Sequence, residues 1–454
     1  MKNTLKIGNA QGFWGDSPGA PAKLAAQQPD LDYLTLDYLS EVSLSIMAIQ
    51  QEKDPELGYA RDFLDVISSL IPLWKKGSKV KVVSNAGGLN PLGCAKACEK
   101  ILRKSECSLF KIGVVTGDNV LDLLKADADN SLYSNLETKQ SLKTIVPRLV
   151  TANAYLGSKP IAEALGGGAN IVITGRIADP SLTVGPCAAH FKWNWEDYHR
   201  LAGATIAGHL IECGTQVTGG ISTRWLEIED PAHIGFPIAE VFEDGSCNIT
   251  KPSGTAGKVT QETVKEQLLY EIGDPDNYLS PDVAVSFLSL KLEQRRIDCI
   301  HLSGAKGKSP PRTYKVSATY RDGFKTEGLL AIFGYDAYKK ARKCGEVILQ
   351  KVKDAGYDLE RCNIECLGSG DIVPGVFTDK QQNLLECVLR VSVADPRREA
   401  LECFAKEIAP LVTSGPQGVT GYTTGRPSIR PVFGYWPCLV NAVDIFPVVQ
   451  YLII

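Results

Sequence analysis

Asp37 and Glu41 stand four residues apart in the segment Leu36-Asp-Tyr-Leu-Ser-Glu41. Two carboxyl groups so placed can serve as general acid and base, because a neighbouring negative charge raises a carboxyl's pKa toward neutrality. The same spacing also suits a helix N-cap followed by a solvated glutamate. Glu212 closes the helical stretch His209-Leu-Ile-Glu-Cys213 just ahead of a glycine-bearing turn and is the third candidate for proton transfer. His209 and Cys213 share a helix face, which allows a thiolate–imidazole pair, but a helical cysteine in apolar surroundings is ordinarily inert. Arg176 and Asp179 can clamp an anion through a planar donor pair steadied by the carboxylate, or form a plain exposed ion pair.

Gly87-Gly88 before Asn90-Pro91 places backbone N–H groups at a helix start, which suits a phosphate or carboxylate. The spacing of a dinucleotide fingerprint is missing there. Gly254-Thr-Ala-Gly257-Lys258-Val259 lacks the spacing of a P-loop, so ATP hydrolysis is excluded, and no Gly-x-Ser-x-Gly elbow exists. The 13 cysteines are scattered and odd in number, which fits reduced thiols in the cytoplasm. Cys94 and Cys98, and Cys362 and Cys366, lack zinc-knuckle spacing, and none of the five histidines lies close to either pair. No metal site is expected.

The elements that must position these residues follow from short apolar runs. Strands are expected at Leu5–Ala10, Tyr33–Tyr38, Val80–Ser84, Phe110–Thr116, Arg148–Ala154 and Asn170–Thr174. Most are continuously apolar, as in a parallel sheet covered on both faces. Asp54-Pro55 and Asn90-Pro91 read as helix starts, the first opening a helix that runs on to Trp74. In such a sheet all strands end on one edge, where ligands bind. That edge gathers Asn9, Gln11, Asp16, Asp37, Glu41, Asn85, Gly87, Gly88, Asn90, Asp118, Asn153, Tyr155, Arg176 and Asp179.

After Thr223 the pattern changes to shorter, alternating strands in the order βαββαβ, the split arrangement of ferredoxin-like folds. The reading is therefore a doubly wound, mostly parallel α/β domain over 1–225 and an α+β domain over 226–454. Asp322-Gly323 is expected to turn between two strands, and the apolar tail Leu439–Ile454 to be a buried closing segment. With 49 basic and 52 acidic residues the net charge is −3, which offers no global footprint for nucleic acid or anionic membranes. No apolar run reaches the length of a membrane span, and the polar start lacks a signal-peptide core.

The stretches Ile7-Gly-Asn-Ala-Gln-Gly-Phe-Trp-Gly-Asp-Ser17, Leu34-Thr-Leu-Asp-Tyr-Leu-Ser-Glu41, Asp54-Pro-Glu-Leu-Gly-Tyr-Ala-Arg-Asp-Phe63 and Ser84-Asn-Ala-Gly-Gly-Leu-Asn-Pro91 resemble the acyclic terpene utilisation (AtuA-type) family. So do Thr174-Gly-Arg-Ile-Ala-Asp179, Glu212-Cys-Gly-Thr-Gln-Val-Thr-Gly-Gly220 and Glu271-Ile-Gly-Asp-Pro275, and the likeness runs from about Ile7 to about Pro427. The resemblance implies a role in breaking down citronellol- and geraniol-like terpenoids through CoA thioesters. It supplies no set of catalytic residues, so Asp37, Glu41 and Glu212 rest on the strand-end reading alone. Two functions are weighed: an enzyme acting on an acyl-CoA or carboxylic acid by carboxylate chemistry (hydratase, isomerase or lyase), and a non-catalytic binding or assembly subunit beside such an enzyme. Neither needs a bound cofactor, the CoA thioester being substrate. The partner is then a small molecule rather than nucleic acid or membrane, with a homo-oligomer allowed.

Overall fold

The structure is a computed structural model that describes residues 3–107, 110–373, 375, 384–421 and 425–454. The chain forms two compact units, one of residues 1–319 with 435–454 and one of residues 320–434.

The first unit is built on strands β1 (Thr4–Asn9), β2 (Tyr33–Leu36), β3 (Lys81–Ser84), β4 (Lys111–Thr116), β5 (Leu149–Ala154), β6 (Ile171–Thr174), β7 (Ile238–Phe242) and β8 (Cys247–Thr250). Strands β1-β2-β3-β6-β4 are neighbours in that order and parallel throughout. Every residue of β2 and β6 is buried, which is why these strands read as unbroken apolar runs. The sheet then grows antiparallel on both sides. On one side β7 pairs with β1, β8 follows, and Cys299–Ser303 and Lys291–Arg296 complete that edge. On the other, Val448–Ile453 pairs with β4. The fold is thus mixed α/β, its ten-stranded sheet parallel only at the centre. The division expected at residues 225–226 falls inside this unit, because the β7–β8 hairpin and its successors extend the same sheet.

Four other expectations are corrected. β5 forms, but it pairs with the strand Thr313–Phe333 and stays out of the main sheet. Thr151 and Thr319 mark that pairing with a 2.7 Å hydroxyl contact. Asp54 ends the helix Ser43–Lys53 instead of starting the next one, and the apolar stripe from Phe63 to Trp74 belongs to the helix Phe63–Lys75. Asp322-Gly323 does not divide two strands, since Thr313–Phe333 is continuous over 21 residues. The tail is buried only in part: Val440 and Ile445 are covered, but Val448–Ile453 is an edge strand with Val448 and Ile453 well exposed. Asn90 does cap the helix Pro91–Lys104, its side chain accepting from the Gly93 N–H at 2.9 Å.

The second unit reads strand, helix, strand, strand, helix, short helix (Leu411–Ser414), strand, and the strand Arg430–Asn441, which begins in it, pairs with Thr313–Phe333. Its sheet is antiparallel in the order Arg361–Leu367, Glu386–Asp395, Thr313–Phe333, Val419–Gly421. Alternation along Glu386–Asp395 sends Cys387, Leu389, Val391 and Val393 into a core with Ile348, Val352, Leu401 and Phe404 of the helices Ala337–Asp354 and Arg398–Ile408. The intervening Arg390, Ser392 and Ala394 line a groove on the other face.

Candidate active site

Parallel neighbours end on one edge, so β1, β2, β3 and β6 deliver Asn9, Asp37, Asn85 and Arg176 to a common place. Glu212 joins them from the last turn of the helix Tyr198–Glu212, and the Asn9 Nδ2 donates to the Glu212 carbonyl at 3.3 Å. Gly12 makes that approach possible. A Cβ there would lie 2.6 Å from the Cys213 carbonyl carbon, a distance no side chain tolerates.

Asp37 is buried, and its Oδ1 accepts from Asn85 Nδ2 at 2.7 Å and from the Leu39 N–H at 3.2 Å. Burial raises its pKa well above the usual carboxylate range, and Asp179 and Glu212 add to the rise while Arg176 and Asn85 oppose it. Glu41 is not among the groups that set this protonation. It is exposed, and its charge acts on Arg176 and Asp179 instead. The Asp37–Glu41 pair expected from spacing is therefore replaced by Asp37 with Asn85, Asp179 and Glu212.

Glu212 and His209 form the pair best suited to chemistry. His209 is 2% exposed, with Nε2 2.9 Å from the Gln267 carbonyl and Nδ1 3.0 Å from Glu212 Oε1. A carbonyl only accepts, so Nε2 carries hydrogen. The Nδ1···Oε1 contact then needs a proton as well, whether the pair is imidazolium–carboxylate or neutral imidazole–carboxylic acid. Burial raises Glu212 to about 7, with His209 opposing and Asp179 and Glu271 adding to the rise. Its second oxygen, Oε2, is buried and has no hydrogen-bond partner among the described residues. With both ring nitrogens engaged, His209 cannot activate Cys213, whose thiol burial pushes up and which stays protonated.

Arg176 is 1% exposed and is spent on the protein itself. Its guanidinium donates to the Ile177 carbonyl at 3.0 and 2.7 Å, to the Leu39 carbonyl at 2.5 Å and to Asp179. Its flat face stacks 4.4 Å from the Tyr155 ring centroid. The expected anion clamp is thus a buried staple. The glycine loop is equally committed. The N–H groups of Gly88, Leu89 and Asn90 donate to the carbonyls of Asn85, Gly58 and Gly87. Gly88 is buried with φ +50°, and a Cβ there would strike the Met47 sulfur. Asn90 turns its amide to the Glu56 and Leu57 carbonyls.

The remaining expected residues are supports. Asp118 accepts from the Arg176 N–H and from Asn153 Nδ2, each at 2.8 Å. Asp16 accepts from the Gly12 N–H at 2.8 Å, and Gln11 donates to the Phe13 carbonyl at 3.0 Å. Burial raises Tyr155 to about 12, so its hydroxyl stays protonated. Gln267, Glu271, Tyr278 and Tyr435 also belong to the cluster, through their charges or contacts on His209, Glu212 and Tyr155. No spacing signal leads to them from the strand ends. Among the described residues no group of three His, Cys, Asp or Glu is placed to hold a metal ion. No described helix is long and apolar enough to cross a membrane.

A mixed α/β unit whose parallel strands end in a buried carboxyl–imidazole cluster defines a class of polar strand-end site. The family described as "Acyclic terpene utilisation family protein AtuA" matches residues 5–451, and the chain belongs to it. Neither the curated proteins nor the solved structures gave a match.

Proposed function

We propose that the protein is an enzyme of acyclic terpenoid breakdown that moves a proton on an acyl-CoA, as a hydratase, isomerase or lyase of the cytoplasm. The observation that carries this reading is the unpartnered, buried Glu212 Oε2 on a carboxyl raised to about 7. A group titrating near neutrality can both take and return a proton, and His209 behind it shares the load. Asp37, whose pKa burial raises, is placed to donate a hydrogen bond to a developing enolate oxygen whenever it holds its proton. With Arg176 and the glycine loop committed elsewhere and Asp179, Glu41 and Glu271 close by, the cluster favours an uncharged reacting end. A thioester meets that condition and a free carboxylate does not.

A binding or assembly subunit is the second reading, favoured by the same observation that the donors of Arg176 are satisfied within the chain. Incubation with a panel of branched acyl-CoA thioesters in D2O, followed by mass spectrometry, separates the two. Deuterium uptake or a mass change is expected, slowed about 10²–10⁴-fold in Glu212→Gln. A panel unchanged by the wild-type protein sinks the enzyme reading.

A further inference from the structure

The second unit holds a cation-rich groove that the carboxylate cluster does not explain. It encloses 710 Å³ against the sheet face left bare by the two helices. Lys325, Arg361, Arg390, Arg426 and Arg430 line it, with Glu327 as the one lining carboxylate among the described residues. Two of the five cations are neutralised locally, Arg361 by Asp322 at 2.9 Å and Arg390 by Glu365 at 2.5 Å. Among the described residues Lys325, Arg426 and Arg430 have no carboxylate partner. These three cations against Glu327 leave an excess of positive charge in a chain that is net negative overall.

We propose that this groove binds a small molecule bearing a phosphoanhydride. Convergent cations on a concave wall repel one another, and phosphate oxygens relieve that strain with charge-assisted hydrogen bonds. The volume is that of a cofactor-sized pocket. Arginines offer paired donors to phosphate oxygens, and Lys325 supplies a point charge. Single-stranded RNA is the other polyanion an open sheet attracts, but it needs aromatic rings for its bases to stack on. No aromatic side chain lines the groove among the described residues. The inference stands on this unit alone and does not depend on the function proposed for the carboxylate cluster.

Calorimetric titration of the full chain with inorganic pyrophosphate, ADP, CoA and adenosine tests it. Pyrophosphate, ADP and CoA should bind, adenosine should not, and added salt should weaken all three. Arg430→Ala and Lys325→Ala should each weaken binding about tenfold, the usual worth of a hydrogen bond to a charged group. Lys351→Ala, on the helix Ala337–Asp354, should leave it unchanged. CoA bound more tightly than ADP assigns the groove to a 3′-phosphorylated nucleotide end, and equal affinity assigns it to the diphosphate alone. Circular dichroism checks that each variant is folded. The proposal is overturned by silence of all three anions at millimolar concentration, by binding that survives the Lys325→Ala/Arg426→Ala/Arg430→Ala triple variant, or by an RNA oligomer bound more tightly than any of them.

Discussion

Arg176 and Arg390 show how differently the two units use the same side chain. Arg176 is 1% exposed, ringed by carbonyls and stacked on Tyr155, while the Arg390 side chain is 32% exposed and meets one carboxylate, Glu365. In the first unit, charge is buried and proton positions are set by surroundings: burial lifts Asp37, Asp118 and Glu212 together. At the groove of the second, the cations Lys325, Arg426 and Arg430, without a carboxylate partner among the described residues, face solvent, where pairing is weak and an incoming anion competes on even terms. Burial prepares groups to move protons, and exposure leaves them free to bind.

The sharpest break of this contrast is Arg176→Ala. It strips the Ile177 and Leu39 carbonyls of donors and leaves Asp179 without its ion-pair partner. A loss of about 2–3 kcal/mol in unfolding free energy is expected by urea denaturation, chiefly from buried carbonyls left without donors, since the Asp179 carboxyl is 36% exposed. Arg176→Lys should recover little, since an ammonium cannot span the same carbonyls.

The cluster should also leave a mark on the pH dependence of stability. Glu212 titrates near 7 in the fold and near 4.5 unfolded, so between those values the folded protein binds more protons. Stability should therefore fall as pH rises from about 4.5 to about 7. The raised His209 pKa acts in the same direction, being favourable at low pH and lost as the ring deprotonates. Denaturation midpoints measured from pH 5 to 8 should show a decline on the order of 2 kcal/mol. Glu212→Gln should flatten much of it. A profile equally steep in that variant assigns the decline to other groups.

The smallest effect belongs to the second unit. Arg390→Ala should cost about 1 kcal/mol, since its pair with Glu365 is half-buried rather than enclosed, and thermal unfolding should place it within a few degrees of wild type. A loss as large as that of Arg176→Ala would erase the distinction between the two regions.

What the sequence shows of this site is what local rules control. Strand ends in a parallel sheet fall on one edge, so the pattern of apolar runs is enough to group Asn9, Asp37, Asn85 and Arg176. Asn90-Pro91 announces its helix because capping is a contact three residues long. The roles within the group are less legible. Spacing offers Asp37 with Glu41 and His209 with Cys213, whereas the fold joins Asp37 to Asn85 and His209 to Glu212. Choosing between such neighbours depends on rotamer and burial, which spacing does not encode. Arg176 and Gly88 look available for an anion because a motif reveals donors but not the acceptors that fold back onto them. Gln267 and Tyr435 come from distant segments and lie beyond any local pattern. The long Thr313–Phe333 strand hides behind Asp322-Gly323, since a glycine in a strand resembles a turn until its neighbours are seen.

Residues 448–453 close the sheet of the first unit against Lys111–Thr116, although the whole of residues 320–434 lies between them in the chain. During synthesis β4 emerges hundreds of residues before its outer partner. Until that partner arrives its free edge is open to unwanted strand pairing. The intervening unit, by contrast, has four strands of its sheet in hand by residue 421, and the next, Arg430–Asn441, follows within a few residues to pair with Thr313–Phe333. At the β4 edge the pairing joins strands made far apart in the chain. Its closure is a long-range contact, the kind whose loop entropy slows folding and lengthens the time a free edge is exposed.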